Sequence, residues 1–305
     1  IGGTGVSQIE AIAMWPKPGN RILYAADAGN FGTINQSTGA FSLIAEIDGG
    51  GTANGANGAQ SLDDVDGLAF DPLTGVLWGT ERKSTSGVYD LLFQINPTTG
   101  QFIPNAFGTG VDYIVIDGVG VWEDVDDIAI SSTTGEMYAV GNYNNGTSDQ
   151  SLNINKYTGA VTVTGSLTFD DVEGMGYHND GTFWATEGDD NRFSQINPAT
   201  SVMTPVKIPM CGGGDPECLA ALIADLNTIT GRLFEDNNLN GVDNSEPAIV
   251  GVTILLYQDV NNNQVLDASD VLLQSTLTDN NGDYEFFYAT TGNLLTTVDL
   301  NTLPS

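Results

Sequence analysis

Val65-Asp66-Gly67-Leu68-Ala69 is one of four versions of a single phrase. The others are Ile9-Glu10-Ala11-Ile12-Ala13, Val125-Asp126-Asp127-Ile128-Ala129 and Val172-Glu173-Gly174-Met175-Gly176. A turn follows each, built on Pro18-Gly19, Thr74-Gly75, Thr134-Gly135 or Asp180-Gly181. The next strand carries Leu23-Tyr24, Leu77-Trp78, Met137-Tyr138 or Phe183-Trp184. Each unit then reaches Ile34-Asn35, Ile95-Asn96, Ile154-Asn155 or Ile196-Asn197, and a Thr-Gly turn, which becomes Thr200-Ser201 in the last copy. A β-rich run such as Phe41-Ser42-Leu43-Ile44 closes the unit. The reading is four short strands per unit, joined by tight turns, with almost no helical periodicity. Units of about 40–50 residues with four strands each are the sequence signature of a β-propeller. Residues 1–210 are therefore expected to form an all-β propeller of at least four four-stranded blades.

The Tyr or Trp of the second strand is expected to pack one blade on the next, where a large ring buries most area. Glu10, Asp66, Asp126 and Glu173 share one repeat position, at the start of the innermost strand, where a side chain can face a central channel. Asp63, Asp64, Glu123, Asp124, Asp170 and Asp171 crowd the same entrance, and Asp27, Glu81 and Glu187 form a second set. Two readings stand side by side. Unpaired carboxylates so close together repel, so a cation such as Ca²⁺ at the channel mouth would relieve them. Alternatively, the acids accept hydrogen bonds from backbone amides of adjacent blades. This part of the chain resembles the propeller repeats of secreted bacterial surface proteins, in repeat architecture and not in any narrow motif.

Two later runs alternate short oxygen side chains. The first is Asp236-Asn237-Asn238-Leu239-Asn240-Gly241-Val242-Asp243-Asn244-Ser245-Glu246, and the second is Asp259-Val260-Asn261-Asn262-Asn263-Gln264-Val265-Leu266-Asp267-Ala268-Ser269-Asp270. Alternate residues converge on one point, a buried apolar residue (Val242 or Val265) lends its carbonyl, and late acids close the shell. Ca²⁺, which takes six to eight oxygens, suits such a loop. The ligand sets are Asp236, Asn238, Asn240, Val242, Asp243 and Glu246, then Asp259, Asn261, Asn263, Val265, Asp267 and Asp270. A surface Asx-turn loop is the plainer reading of either run taken alone.

Strands flank these loops: one from Ile229, then Gly251–Tyr257, then Leu272–Thr278, then an alternating strand after Asp279-Asn280-Asn281-Gly282. Three segments carry a resemblance. They are Gly231…Phe234-x-Asp236-x-Asn238-x-Asn240-Gly241, Gly251-Val252-Thr253-Ile254-x-Leu256 and Thr278-Asp279…Gly282-x-Tyr284-x-Phe286. This order resembles the B-type repeats of serine-aspartate surface adhesins, within the collagen-adhesin B-like group, over roughly residues 229–305. The resemblance implies an immunoglobulin-like β-sandwich stiffened by calcium and used as a surface spacer. No lysine follows Lys207, so the Lys–Asn isopeptide bond of some relatives is excluded from this module. Residues 211–228 read as a linker carrying the loop Cys211-Gly212-Gly213-Gly214-Asp215-Pro216-Glu217-Cys218, where a disulfide suits an exported protein.

Composition narrows the partners. The chain has 305 residues, 39 Asp and Glu against 8 Lys and Arg, and a formal charge of −31. No basic footprint is left to meet nucleic acid or an anionic membrane. No stretch approaches the 18 or so consecutive apolar residues of a membrane helix, so direct membrane insertion is not expected. The charge suits a calcium-rich or saline exterior, and the start at Ile1 and end at Ser305 read as those of a processed or partial piece. The only histidine, His178, lies in the turn His178-Asn179-Asp180-Gly181, so no Ser/His/Asp set can be assembled.

The favoured function is therefore a secreted or cell-surface structural and adhesive protein without catalytic residues. The propeller would be its interaction head, meeting a protein or glycan, and the calcium module its stalk or a unit of assembly with copies of itself. The alternative is a calcium-dependent propeller hydrolase or lactonase acting at the acidic channel mouth. A glycan-binding module using Tyr113, Trp122 or Tyr143 is a third class.

Overall fold

A computed structural model of the chain describes residues 3–6, 9–15, 21–83, 89–117, 123–143, 149–178, 181–188, 192–197, 200–207, 219–220, 227–288 and 293–304. Cys211 and Cys218, the turn Pro18-Gly19 and Trp122 lie outside these residues. Two compact units are present, Ile1–Asp225 and Leu226–Ser305.

The first unit contains four antiparallel four-stranded sheets, one for each repeat. The first sheet is β1 (Ile9–Met14), β2 (Leu23–Asp27), β3 (Asn30–Ile34) and β4 (Phe41–Glu46). A small hairpin, β5 (Ala53–Gly55) and β6 (Gly58–Gln60), follows it. The second sheet is β7 (Val65–Phe70), β8 (Leu77–Glu81), β9 (Leu91–Ile95) and β10 (Tyr113–Val115). The third is β11 (Glu123–Ile130), β12 (Met137–Tyr143), β13 (Gln150–Ile154) and β14 (Val161–Ser166). The fourth is β15 (Gly174–Tyr177), β16 (Phe183–Glu187), β17 (Arg192–Asn197) and β18 (Val202–Lys207).

The repeat's Ile-Asn…Thr-Gly signature now has a physical cause. Asn35, Asn96 and Asn155 each use Oδ1 to accept the amides two and three residues on. Such Asx turns reverse the chain between third and fourth strands. Gly39, Gly100 and Gly159 close them with positive φ, and Ser201 adopts the same left-handed conformation in the fourth copy. At Gly159 (φ 77°) a Cβ would stand 1.9 Å from the Val115 carbonyl oxygen. Gly159→Ala is therefore expected to destabilise by more than the ~1–2 kcal/mol of the left-handed conformation alone, read as a lower urea midpoint. The second sheet departs from the pattern, because its fourth strand is Tyr113–Val115 and Phe102 makes only an isolated bridge to Ile95. Asp112 anchors the intervening loop by accepting the Asn105 and Asn54 amides, both at 2.8 Å.

Three cores join successive sheets. Tyr24 and Phe31 of the first pack with Leu68, Phe70, Leu77 and Ile95 of the second. Trp78 and Leu92 of the second pack with Ile128, Met137 and Ile154 of the third. Val140 and Tyr138 of the third pack with Met175, Phe183 and Ile196 of the fourth. The second-strand aromatics thus serve as packing residues between sheets, as with Tyr138 against Phe183 at 4.6 Å. Residues of β1, β7, β11 and β15 line a common narrow cavity of about 30 Å³, joined by Leu219 and Ala220.

The second unit has a two-stranded sheet, β19 (Asn227–Arg232) with β22 (Asp283–Tyr288). Its three-stranded sheet holds β20 (Thr253–Gln258) between β21 (Val271–Leu277) and β23 (Leu294–Val298). Ile229 and Phe286 of the smaller sheet meet Ile254, Leu256, Leu294 and Val298 of the larger in one core. The architecture is all-β with repeated four-stranded antiparallel sheets. The expected propeller and immunoglobulin-like sandwich are met at that level only: among the described residues neither a closed ring nor a closed sandwich is displayed.

Candidate acidic metal site

The acids of the shared repeat position are placed by a backbone irregularity. Register slips between Ile9 and Ala11, between Val65 and Gly67, and between Val125 and Asp127, so Glu10, Asp66 and Asp126 each occupy a bulge. A bulge bends its strand and re-aims the extra side chain. At two of them the result is a cluster. One carboxylate oxygen from each of Glu10, Asp64 and Asp66 lies within 4.8 Å of the others.

Asp64 reaches the cluster because its loop is held from below. The amides of Asp63 and Asp64 donate to the Glu81 carboxylate at 3.0 and 3.1 Å. Lys83 Nζ donates to Glu81 Oε1 and to the Ser61 carbonyl, both at 2.7 Å. Burial drives the Glu81 carboxyl up to about 7 against the pull of Lys83. Close packing fixes the neighbouring backbone too, since a Cβ on Gly67 would stand 2.5 Å from Thr80 Oγ1 and 3.2 Å from the Asp127 Cα.

Electrostatically the cluster is short of positive charge. Asp66 is only 5 % exposed, and its Oδ2 is buried without a hydrogen-bond partner. Among the described residues the nearest cation to it is the exposed Arg82 guanidinium, at 3.8 Å. Burial, with repulsion from Asp64, Glu10 and Asp90, pushes the Asp66 carboxyl up to about 9 against the pull of Arg82. Glu10 is raised as well, by burial first and then by Asp64. Such a site holds either protons or a cation. Three hard oxygens converging on one point, one of them buried and unsatisfied, fit a metal ion.

Asp126 and Glu173 are half-buried, each with its own interactions, and neither joins the cluster. The fourfold set expected from the repeat is thus divided. The backbone-bonding role falls mainly to acids outside that set. Asp90 Oδ2 accepts the Val125 amide at 2.8 Å, and Asp149 Oδ2 the Val172 amide at 2.7 Å, each tying a third strand to the start of the next sheet. Their signal was present in the sequence, as both stand five residues before the Ile of an Ile-Asn pair. Asp127 is fully buried and accepts the Ile128 and Met175 amides at 2.8 Å. Burial pushes its carboxyl well above the usual range, while the Met175 and Ile128 amides, with those of Leu68 and Leu219, oppose the shift.

In the second unit the two oxygen-rich loops fold alike. Asp236 accepts the amides of Asn240 and Gly241, and Asp259 those of Asn263 and Gln264. Asn238 and Asn261 likewise accept the Asn240 and Asn263 amides. Asn240 and Asn263 accept the amides of Val242 and Val265, each at 2.7 Å. Glu246 Oε1 accepts the Asn238 amide, while its Oε2 is buried without a partner. Asp270 closes the second loop on the Val260 and Asp267 amides. Asp243 pairs with Arg232, which holds its carboxyl below the usual range. Hydroxyl, amide and Asn donors around Asp267 lower it further. One expectation is corrected here. Val242 and Val265 are 60 % and 61 % exposed, not buried, because the alternating turns point them outward.

The larger correction concerns function. Three carboxylates of the first unit converge where a cation would sit, one of their oxygens buried without a partner, an arrangement that the head, stalk and filament reading did not place there. The Glu10–Asp64–Asp66 cluster overturns that reading and favours the metal-associated, catalytic alternative. Among the described residues no helix is long and apolar enough to cross a membrane.

No protein-family model matches this chain, and no curated protein matches it. Solved structures resemble it distantly and in part, as propeller-like all-β folds. They include the PQQ-bound aldose sugar dehydrogenase of Streptomyces coelicolor, at 15% identity and TM-score 0.44 over 72% of this chain and 73% of that one. A gluconolactonase of Xanthomonas campestris matches at 12% and 0.40, over 71% of this chain and 80% of its own. A nidogen/laminin complex matches at 13% and 0.44, over 70% and 68%. At TM-scores below 0.5 these likenesses carry no argument about what the chain does.

Proposed function

We propose that the first unit is a propeller-type metal-dependent hydrolase, with Ca²⁺ held by Glu10, Asp64 and Asp66 and lactones or esters as the substrate class. The observation that carries this reading is the buried Asp66 Oδ2, which lacks a donor and shares its space with two further carboxylates. When bound, the cation would polarise a substrate carbonyl. The chain's own residues supply the rest. Glu81 and Lys83 fix the Asp63–Asp64 backbone, and Glu10 and Asp66 present oxygens that favour a proton wherever no cation compensates them. Calorimetric titration with Ca²⁺ and a lactone and ester hydrolysis panel test it together. Wild type should bind and turn over at least one substrate, and Asp66→Asn should lose tenfold or more of the affinity for this site and most of the turnover. Full Ca²⁺ affinity in Asp66→Asn, or hydrolysis indifferent to chelator, contradicts it.

For the second unit we propose a B-type calcium module of the sandwich class, with one Ca²⁺ in each oxygen-rich loop. The matched geometry of the loops and the unsatisfied Glu246 Oε2 support it. Asp236→Ala and Asp259→Ala should each remove one site and expose the segment beyond residue 226 to protease in Ca²⁺. Unchanged stoichiometry in both variants would refute the loop assignment. A calcium-rich exterior is the setting that suits both units.

A further inference from the structure

The three inter-sheet cores follow one rule. The leading face of each later sheet covers the trailing face of the sheet before it. On the leading faces Leu68, Leu77 and Ile95, then Ile128, Met137 and Ile154, then Met175, Phe183 and Ile196 are all 2 % exposed or less. The same repeat positions in the first sheet are Ile12, Leu23 and Ile34, and all three are only half-buried. Beside them Leu43 is 59 % exposed.

The trailing face of the fourth sheet shows the complement. Phe31 and Leu92 are fully buried in the first two sheets, whereas Phe193, at the same position, is half-buried. Trp184 stacks on Phe193 with centroids 4.8 Å apart and planes 12° from parallel, and Val202 on the same face is 51 % exposed. Among the described residues no shared core joins the fourth sheet to the first. One end thus carries a trailing face and the other a leading face, each apolar and each of the kind that pairs three times within the chain.

We infer that the fourth sheet of one copy docks on the first sheet of a second copy, extending the inter-sheet interface between molecules. The occupant follows from the repeat, because the trailing face built by Trp184, Phe193 and Val202 is matched by a leading face built on Ile12, Leu23 and Ile34. The register follows too. Tyr138 sits on Phe183 within the chain, and the equivalent pair across the new contact is Trp184 of one copy on Leu23 of the other. The charge of −31 per copy makes copies repel, so screening salt should strengthen the association.

The test is sedimentation equilibrium of the full chain in low and high salt, with a photo-cross-linker at position 184 in a mixture of isotopically light and heavy copies. Self-association that rises with salt is expected, with cross-links from position 184 to the Leu23 peptide of the opposite isotope. Trp184→Asp and Leu23→Asp should each weaken association tenfold or more, with unchanged circular dichroism. A chain monomeric at every concentration and salt overturns the inference. So does a cross-link confined to one copy, or association indifferent to both substitutions.

Discussion

Replacing Lys156 with methionine is expected to cost about 3–5 kcal/mol of stability, the range for stranding one member of a buried ion pair. Lys156 is 8 % exposed and Asp71 fully buried. Lys156 Nζ donates to Asp71 Oδ2 at 2.5 Å and to the Gly135 carbonyl at 2.7 Å, so the third sheet's turn is fastened to the second sheet's turn. Methionine fills most of the volume but leaves the Asp71 carboxylate without its cation, and among the described residues only the Leu73 amide still donates to it. For a unit of this size the melting temperature should fall by roughly 10 °C. The double variant Lys156→Met/Asp71→Leu, which removes both charges, should recover much of the loss. Equal stability of Lys156→Met and wild type would show that the pair does not hold the turns together.

Asp127→Ala should be comparably damaging, at about 3–6 kcal/mol. The buried amides of Ile128 and Met175 donate to this carboxylate at 2.8 Å, and those of Leu68 and Leu219 support its charged form, so three sheets and the segment after the fourth converge on it. Each buried donor left without an acceptor costs about 1–3 kcal/mol, less where the adjoining cavity admits a water. Asp127→Asn, which keeps one acceptor oxygen, should fall between wild type and alanine. Chemical denaturation ranks the three, and an alanine variant as stable as wild type would mean that water replaces the carboxylate without loss.

Much of this was legible in the residues. The four versions of Val65-Asp66-Gly67-Leu68-Ala69 became the first strands of four sheets, and the Ile-Asn…Thr-Gly phrase became an Asx turn closed by a left-handed residue. Local patterns of this kind are decided by neighbours a few positions away. The division of labour among the acids was not legible. Glu10 and Asp66 meet Asp64 because Glu81 and Lys83 hold a loop in place, a contact between segments that repeat spacing does not encode. Asp127 stands where the other repeats have Ala11, Gly67 and Gly174, so it read as a neighbour of Asp126 and not as an anchor for amides of three sheets. The inverted burial of Val242 and Val265 has a similar origin. Alternation fixes which residues share a side, but not which side meets the core.

The most direct test of the proposed metal-dependent chemistry is Ca²⁺ binding stoichiometry, measured calorimetrically on Asp236→Ala/Asp259→Ala with and without Asp66→Asn. With both C-terminal loops disabled, one site should remain, and it should vanish when Asp66 becomes asparagine. If no site remains before Asp66 is changed, the Glu10–Asp64–Asp66 cluster binds no calcium, and the proposed hydrolase loses its metal.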